Sequence, residues 1–450
     1  MHRSRPVDSR SRVEGTGQTK KSSEPTPHGD RSGVPGRSPS ATPRSSTAEG
    51  QALRPLIRGV YLPALLFSVG IGAMTPMVVV SATALGADGA TAALLAALIP
   101  VGHILADLPA GALTSRFGER ATMIGSSAVA MVALAACALA PNLAVLGAGV
   151  LVVGGTAAVY GLARQAYLTE VIPPMQRARA LSSLGGVGRI GIFVGPFLGA
   201  ALVLGRPDPA PSYWLAAGTS LLSAIVVWRS APHETPRHYT PDRPRASTWS
   251  VLREQRAIFL SLGIAVVLVG AMRGARQTVL PLWTESLGYT PAVTSVVFGI
   301  AGAVDMLLFY PAGKVMDRMG RLWIAIPSML VTGIAMLFLP LTDALVTVGI
   351  VAVLLGLGNG IGSGVLMTLA ADTAPEHGRP QFLGVWRLYS DAGMATGPLV
   401  VSAGAALGSL AAGIAATGGI GLLAVLALWR WVPRWSVHAN RTTRRRAGLG

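Results

Sequence analysis

Charged residues are scarce in this sequence, and cysteine is almost absent. Asp, Glu, Lys and Arg together make up 13% of the 450 residues, whereas hydrophobic residues make up 51% and the mean hydropathy is +0.52. A water-soluble domain of this length needs more charge on its surface, so the composition indicates a membrane protein. The single cysteine, Cys137, lies in an apolar run, and one cysteine excludes an internal disulfide.

Sequence patterns of catalytic chemistry are also missing. There is no Gly-x-x-x-x-Gly-Lys-Ser/Thr phosphate loop, which argues against an ATP-driven pump, and no His, Cys and Asp cluster with metal-ligand spacing. The glycines between Gly356 and Gly364 follow no strand and do not make a dinucleotide fingerprint. We therefore expect a protein that is not an enzyme, with no catalytic residues, no bound metal and no cofactor.

Apolar runs of about 20 residues, the length that a helix needs to cross a bilayer, are abundant instead. Six lie in each half of the chain. They predict an all-α polytopic membrane protein with 12 transmembrane helices in two pseudo-symmetric six-helix bundles. The predicted helices 1 to 12 span residues 59–84, 91–112, 121–140, 143–166, 181–204, 212–230, 257–284, 292–313, 321–340, 344–370, 381–407 and 411–432.

The segments outside the helices divide the chain into five parts. Residues 1–52 are rich in Ser, Pro, Gly and Arg and contain no apolar run, so we predict a disordered basic tail. The N-terminal bundle then covers 53–230, a polar cytoplasmic linker covers 231–256, and the C-terminal bundle covers 257–435. Residues 436–450 form a second basic tail.

The distribution of basic residues predicts the orientation. Of the 37 Lys and Arg residues, only Arg206 falls in a predicted outer loop, and nearly all the others lie in the termini or in loops on one side. By the positive-inside rule, both termini are cytoplasmic, and we expect a multi-pass protein of a bacterial plasma membrane. The net charge of +17 then reflects topology, because no basic domain studded with aromatic residues suggests nucleic-acid binding.

The two halves repeat each other at a fixed offset of 202 residues, which indicates a tandem duplication of one membrane unit. The clearest repeat is a glycine-rich basic turn after the second helix of each half. It reads Gly313-Lys-Val-Met-Asp317-Arg318-Met-Gly320-Arg321 in the second half. The first-half copy contains Gly111, Arg116 and Gly118, with Ser115 and Glu119 in place of the acid and the base.

This turn resembles the signature loop of the major facilitator superfamily, and the resemblance covers residues 55 to 435. It implies two six-helix bundles around a central cavity that work by alternating access. It also implies that Gly313 and Gly320 permit a tight crossing under the next helix. Asp317 and the neighbouring arginines would form charge pairs that hold the cytoplasmic side shut.

A second run, Gly191-Ile-Phe-Val-Gly195-Pro196-Phe-Leu-Gly199 on helix 5, looks like the motif of the family's drug:proton antiporters. It implies proton-coupled efflux of a small organic molecule or drug, with the glycines at an interface between moving bundles. Close packing of small residues is the alternative explanation of the glycines. Helix 4 lacks the arginine that the antiporter pattern has near its outer start. A symporter or facilitator that imports a small polar or anionic solute therefore remains an alternative, and a non-transporting sensor or scaffold is less favoured.

Ionisable residues inside the apolar runs are functional candidates, because a charge at mid-bilayer costs several kcal/mol unless it is paired or hydrated. In the resembled fold, helix 5 packs against helix 8 and helix 2 against helix 11. We therefore predict a pair of Arg189 with Asp305, and a pair of His103 or Asp107 with Asp391. Counting residues places them about 12 Å from the cytoplasmic boundary. We expect them to form an inner gate that uses the proton gradient, with static pairs as the alternative.

Polar residues on the cavity-lining helices are candidate substrate contacts. Arg273, Arg276 and Gln277 lie near the middle of helix 7 and suggest an acidic or polar group on the ligand. Tyr160 on helix 4 and Asn359 on helix 10 are further candidates, although core packing is an alternative role for each. The expected partners are a small-molecule substrate and the lipid bilayer, and we expect the chain to function as a monomer.

Overall fold

A computed structural model describes residues 57–172, 176–230, 248–376 and 378–448. Within these ranges every regular element is a helix. The predicted tail 1–52 lies outside them, as does most of the predicted linker. The long helices, labelled α1 to α12, are Leu62–Ala84, Gly89–Phe117, Glu119–Ala138, Leu143–Val171, Arg177–Val203, Ala210–Arg229, Leu262–Ser286, Pro291–Met319, Leu322–Phe338, Leu345–Thr373, Arg379–Leu407 and Leu410–Trp435.

Eleven of these helices in the described part of the chain are long and apolar enough to cross a membrane. The remaining one is α11, which is as long as α2 but carries Arg387 and Asp391 near its middle. Those charges lower its hydropathy, although it keeps exposed leucines such as Leu388 and Leu399. The all-α polytopic fold that the sequence predicts is therefore confirmed, with twelve long helices.

The duplication is visible in the helix ends. Helices α2 and α8 are both 29 residues long, and they begin at Gly89 and Pro291, which are equivalent positions of the repeat. Both continue through most of the glycine-rich turn, so they are longer than predicted. They end at Gly118, with φ +83°, and at Gly320, with φ +108°. A side chain disfavours this conformation, which is why the turn needs glycine there.

Helix α10 is broken near its middle, although the sequence predicted one continuous helix. Residues Leu345–Gly362 form the first part and Val365–Thr373 the second. Gly364 between them has φ +89°, a left-handed conformation that interrupts the helical hydrogen bonds. The break leaves backbone polar groups of α10 free to bind side chains from other helices.

The glycines of the helix 5 motif pack inside the first half instead of at an interface between bundles. A β-carbon at Gly191 would lie 2.6 Å from the Ser68 β-carbon, and one at Gly195 would lie 2.3 Å from the Val69 carbonyl oxygen. Both partners are on α1, so these glycines allow α5 and α1 to touch backbone to backbone. Among the residues of the motif, Phe197 contacts α8, where its ring packs against Gly299, and Phe193 lies close to Gly302.

Short helices occur in both segments predicted as linker and tail. Thr248–Glu254 and Arg256–Phe259 lead into α7, and Arg441–Arg446 follows α12. The chain after α12 also binds the glycine-rich turn, because the backbone N–H of Arg321 donates to the His438 carbonyl oxygen at 3.1 Å. The end of the chain therefore carries ordered contacts that its basic composition did not predict.

We expect Gly195→Ala to destabilise the protein by about 1–3 kcal/mol, because the added methyl group meets the α1 backbone, which cannot move aside freely. Gly186→Ala on the same helix is the matched control, since a β-carbon there meets nothing within 4 Å. Thermal unfolding of both variants in detergent measures the difference. Equal midpoints would show that the α1–α5 contact is not tight.

Candidate functional site

A central cavity of about 420 Å³ lies between helices of the two halves. Its lining includes the predicted candidates Arg189, Arg273, Arg276, Asp305 and Asn359, and also Gln277. Apolar side chains, together with serine and threonine residues, complete the walls. A cavity of this size and mixed lining has the dimensions of a small-molecule site.

Asp305 is the centre of the charged part of this cavity. Its Oδ1 lies 3.2 Å from Arg189 Nη1, which confirms the predicted pairing between α5 and α8. Its Oδ2 lies 3.6 Å from Arg276 Nη2 and accepts a hydrogen bond of 2.7 Å from Asn359 Nδ2. One carboxylate therefore has two cations and one amide as partners.

The break in α10 provides acceptors for the other guanidinium groups. Arg273 Nη2 donates to the Gly362 carbonyl oxygen at 2.7 Å, and Arg189 Nη2 donates to the Ser363 hydroxyl. The Arg189 guanidinium also lies 4.3 Å from the centroid of the Phe309 ring. Irregular backbone is tolerated at membrane depth where it lines a cavity and is satisfied by neighbouring side chains, as it is here.

A second charged group joins α2 to α11. Arg387 Nη2 lies 3.2 Å from Asp107 Oδ1, and Arg387 Nε lies 3.5 Å from Asp391 Oδ2. Asp391 and Asp107 also lie within side-chain hydrogen-bonding reach of each other, so the predicted pairing of Asp391 with Asp107 is confirmed. An arginine one turn before Asp391, which was not predicted, bridges the two carboxylates. His103 makes no hydrogen bond or ion pair within the described ranges. The i,i+4 spacing of Arg387 and Asp391 was the sequence signal for this bridge.

Both charged groups lie well inside their helices. Asp305 is at the midpoint of the 29-residue helix α8, about 21 Å from either end at 1.5 Å per residue. Arg189 and Asp391 lie about 18 Å from the starts of their helices by the same rise. These are distances to helix ends, and the predicted depth of about 12 Å from the cytoplasmic boundary stays a prediction.

Tyr160 is not a cavity residue, contrary to the prediction. It is 1% exposed, its ring stacks on Phe67 with centroids 4.2 Å apart, and its hydroxyl lies 3.2 Å from the Ser223 hydroxyl. These contacts fill the space between α1, α4 and α6. Tyr160 is therefore a packing residue of the first half.

Arg164 on α4 is a cavity residue that was not among the sequence candidates. It forms no ion pair or hydrogen bond to another described residue, and its guanidinium carbon lies 5.9 Å from the Tyr160 ring centroid. The Nε atoms of Arg164, Arg273 and Arg276 are all buried without a hydrogen-bond partner. An unpaired buried donor costs about 1–3 kcal/mol. An arginine inside an apolar run was the signal that could have identified Arg164.

The glycine-rich turn of the second half forms charge pairs, as the resemblance implies, but both partners of each pair belong to the second half. Arg321 Nε lies 3.1 Å from Asp372 Oδ2 at the end of α10, and Arg321 Nη1 lies 3.8 Å from Asp317 Oδ1. Arg318 and Asp317 accept hydrogen bonds from Arg444 through their carbonyl oxygens. A β-carbon at Gly313 would meet nothing within 4 Å, so the tight crossing requires Gly320 alone.

The first-half turn is held differently. Arg120 donates to the Val227 carbonyl oxygen at 3.2 Å and to the Ser230 carbonyl oxygen at 2.8 Å, which caps the end of α6. Arg116 is exposed and lies 5.4 Å from the Phe117 ring centroid. Within the residues that the structure describes, no group of three His, Cys, Asp or Glu side chains could hold a metal ion.

Two further contacts join the halves at the other end of the molecule. We call the end with the glycine-rich turns the basic end and the other the opposite end. At the opposite end, Thr83 Oγ1 donates to Glu285 Oε1 at 3.0 Å, and these two residues are equivalent positions of the duplication, 202 residues apart. Ser402 Oγ donates to the Ala90 carbonyl oxygen at 2.8 Å.

The sequence matches the family model of the Major Facilitator Superfamily over residues 61–398 and again over 262–447. The chain belongs to the major facilitator superfamily. Members of this superfamily are carriers and not enzymes, so the chain is a multi-pass membrane transporter. The charged groups described above therefore lie in the interior of a transporter.

Known proteins that resemble this transporter differ in their named roles. The multidrug resistance protein MdtH of Klebsiella pneumoniae (strain 342) is 25% identical over 332 residues, which is 71% of this chain and 79% of that protein. Among solved structures, a variant of the nucleoside transporter NupG has a TM-score of 0.67 at 11% identity, covering 82% of this chain and 97% of that one. A D-xylose-proton symporter has a TM-score of 0.64 at 16% identity, with 84% and 97% covered. The structural likenesses show the fold alone.

We expect Asp305→Asn to destabilise the protein by about 3–5 kcal/mol, because it leaves the buried Arg189 and Arg276 without a counter-charge. Asp391→Asn should cost less than about 1 kcal/mol, since the half-exposed Arg387 keeps its ion pair with Asp107. Thermal unfolding in detergent compares the two variants. A larger loss for Asp391→Asn would contradict this assignment of charge balance.

Proposed function

We propose that this transporter exports a small organic molecule in exchange for protons, by alternating access across a bacterial plasma membrane. The basic end would face the cytoplasm, as the positive-inside rule predicts, and the chain would act as a monomer without a cofactor. The likeness to MdtH supports export of drug-like molecules. The proton gradient supplies the energy in this proposal.

The observation that supports proton coupling is that carboxylates outnumber cations in the charged group between α2 and α11. Two carboxylates, Asp107 and Asp391, share the single cation Arg387. Like charges held close together favour proton uptake by one of them. His103 on α2 and Arg164 on α4 are the other ionisable groups that face this site.

Around Asp305, in contrast, the cations outnumber the carboxylates. Its carboxylate is matched by Arg189, Arg276 and the Asn359 amide, so protonation would leave two guanidinium groups unpaired. Of the two acids proposed from the sequence as proton carriers, Asp391 is therefore the one that we assign to coupling. Asp305 becomes the anchor that holds the arginines of the cavity.

Proton uptake would act on the contact between the halves. Arg387 and Asp391 are on α11 in the second half, whereas Asp107 is on α2 in the first. Protonation of Asp107 removes the charge attraction across this interface, and protonation of Asp391 strengthens it by leaving Arg387 to Asp107 alone. Protonation of Asp107 or Asp391 thus changes how strongly α2 and α11 attract each other.

Import of a small polar or anionic solute is the second candidate, and the arginines of the cavity are the observation that favours it. The same alternating-access mechanism serves both directions. The direction of the substrate-evoked proton movement distinguishes them, because antiport and symport move protons in opposite directions relative to the substrate.

We expect substrate-evoked proton flux in proteoliposomes to be lost in Asp391→Asn, because the variant cannot exchange a proton at that carboxylate. The assay imposes a pH gradient and tests lipophilic drugs and small organic anions against wild type. Asp343→Asn, an exposed acid at the opposite end, is the matched control and should transport normally. Wild-type flux in Asp391→Asn, together with loss in Asp305→Asn, would place coupling at Asp305 instead.

Cross-linking at the opposite end tests alternating access itself. The double variant Thr83→Cys/Glu285→Cys, joined by a short bifunctional thiol reagent, should stop substrate transport because α1 and α7 can no longer separate. A cleavable reagent should allow reduction to restore it. The native Cys137 is buried, so background reaction should be low, and each single cysteine variant serves as a control. Undiminished transport by fully cross-linked protein would rule out this movement.

A further inference from the structure

The central cavity contains far more positive than negative charge. Arg164, Arg189, Arg273 and Arg276 line it, and Asp305 is the acidic side chain that lines it with them. Asp305 offsets one of the four charges, so the cavity as described carries a net excess of three. In a site away from bulk water such an excess is unfavourable, and it attracts a compensating anion.

Hydrogen bonding shows the same excess of donors. Asp305, Ser363 and the Gly362 carbonyl satisfy some of the guanidinium N–H groups. The Nε atoms of Arg164, Arg273 and Arg276 have no partner, and Arg164 has no hydrogen-bond partner at all within the described ranges. Oxygen atoms of a carboxylate, sulfonate or phosphate would supply the missing acceptors, because guanidinium groups bind such oxygens well.

Apolar side chains form another part of the lining, beside polar residues such as Ser68, Thr75 and Gln277. Ile192 and Phe193 on α5, Phe298 and Met306 on α8, and Met394 on α11 face the same space. A bare inorganic anion would leave these side chains against water. A molecule with an apolar body next to its anionic group would cover them, and a volume of about 420 Å³ accommodates a small one.

We propose that the transported molecule is an amphipathic organic anion, whose acidic group is bound by Arg164 together with Arg273 and Arg276. This inference rests on the proposed transport of a small organic molecule and specifies its chemical class. Arg164 belongs to the first half and the two α7 arginines to the second. The anion is thereby held from both halves, as a ligand that accompanies their relative movement must be.

Ligand-induced stabilisation of the full-length protein in detergent tests this proposal without any transport step. The probes have one apolar body and opposite charges: naphthalene-2-sulfonate and naphthalene-2-carboxylate against naphthalen-2-ylmethylammonium. We expect the anions to raise the thermal unfolding midpoint in a saturable manner, and the ammonium probe to have no effect at the same ionic strength. Sodium chloride at that ionic strength should also have no effect.

The variants show where the anion binds. Arg164→Gln should weaken the apparent affinity for the anions at least tenfold, and Arg273→Gln should have the same effect. If one of these variants folds poorly, the other still tests the site. Arg164→Lys should retain part of the affinity. Arg430→Gln removes an exposed arginine at the end of α12 and should leave binding unchanged.

Three results would overturn the proposal: equal or stronger stabilisation by the ammonium probe, the same stabilisation by chloride alone, or no stabilisation of wild type by either anion. Wild-type affinity in both Arg164→Gln and Arg273→Gln would overturn the assigned site. Failure of the anion proposal can be distinguished from failure of the transport proposal. Anion binding without proton flux would contradict proton coupling only, and proton flux evoked by cations alone would contradict the anion proposal only.

Discussion

A guanidinium group buried between membrane helices must find acceptors inside the protein, and this constraint shapes the centre of the molecule. The arginines of α5 and α7 meet it in part, with one carboxylate, one hydroxyl and one backbone carbonyl, while the Nε atoms of Arg273 and Arg276 stay without a partner. The hydroxyl and the carbonyl lie at the break in α10. The carboxylate of Asp305 is held in turn by Asn359, from the same helix α10. The break in α10 and the partners of the buried charges thus belong to one arrangement.

Equivalent positions of the duplicated halves carry different charges. The repeat relates Arg189 to Asp391 and Asp305 to His103, so the α5–α8 contact is rich in cations and the α2–α11 contact is rich in carboxylates. Two interfaces built from one ancestral unit have therefore acquired different chemistry. In the functions proposed above, the first interface would serve the anion and the second the proton.

Much of this arrangement could be read from the sequence. Apolar run lengths predicted the twelve helices, and the repeat together with the family resemblance predicted that Arg189 meets Asp305. The spacing of Arg387 and Asp391 was visible in the sequence, but the reach of Arg387 to Asp107 and the packing role of Tyr160 could not be predicted, because they depend on helix rotation and side-chain reach. The break at Gly364 was hidden because several glycines of α10 are compatible with close packing, and only one adopts a positive φ.

The second part of α10, Val365–Thr373, is a short helix that connects the cavity with the glycine-rich turn. It is about 13 Å long at 1.5 Å per residue. One end adjoins the backbone groups that Arg189 and Arg273 bind, and the other carries Asp372, which holds Arg321 and accepts a hydrogen bond from Ser436. A single nine-residue helix thus connects the partners of the cavity arginines with the partners of the glycine-rich turn and of the chain after α12.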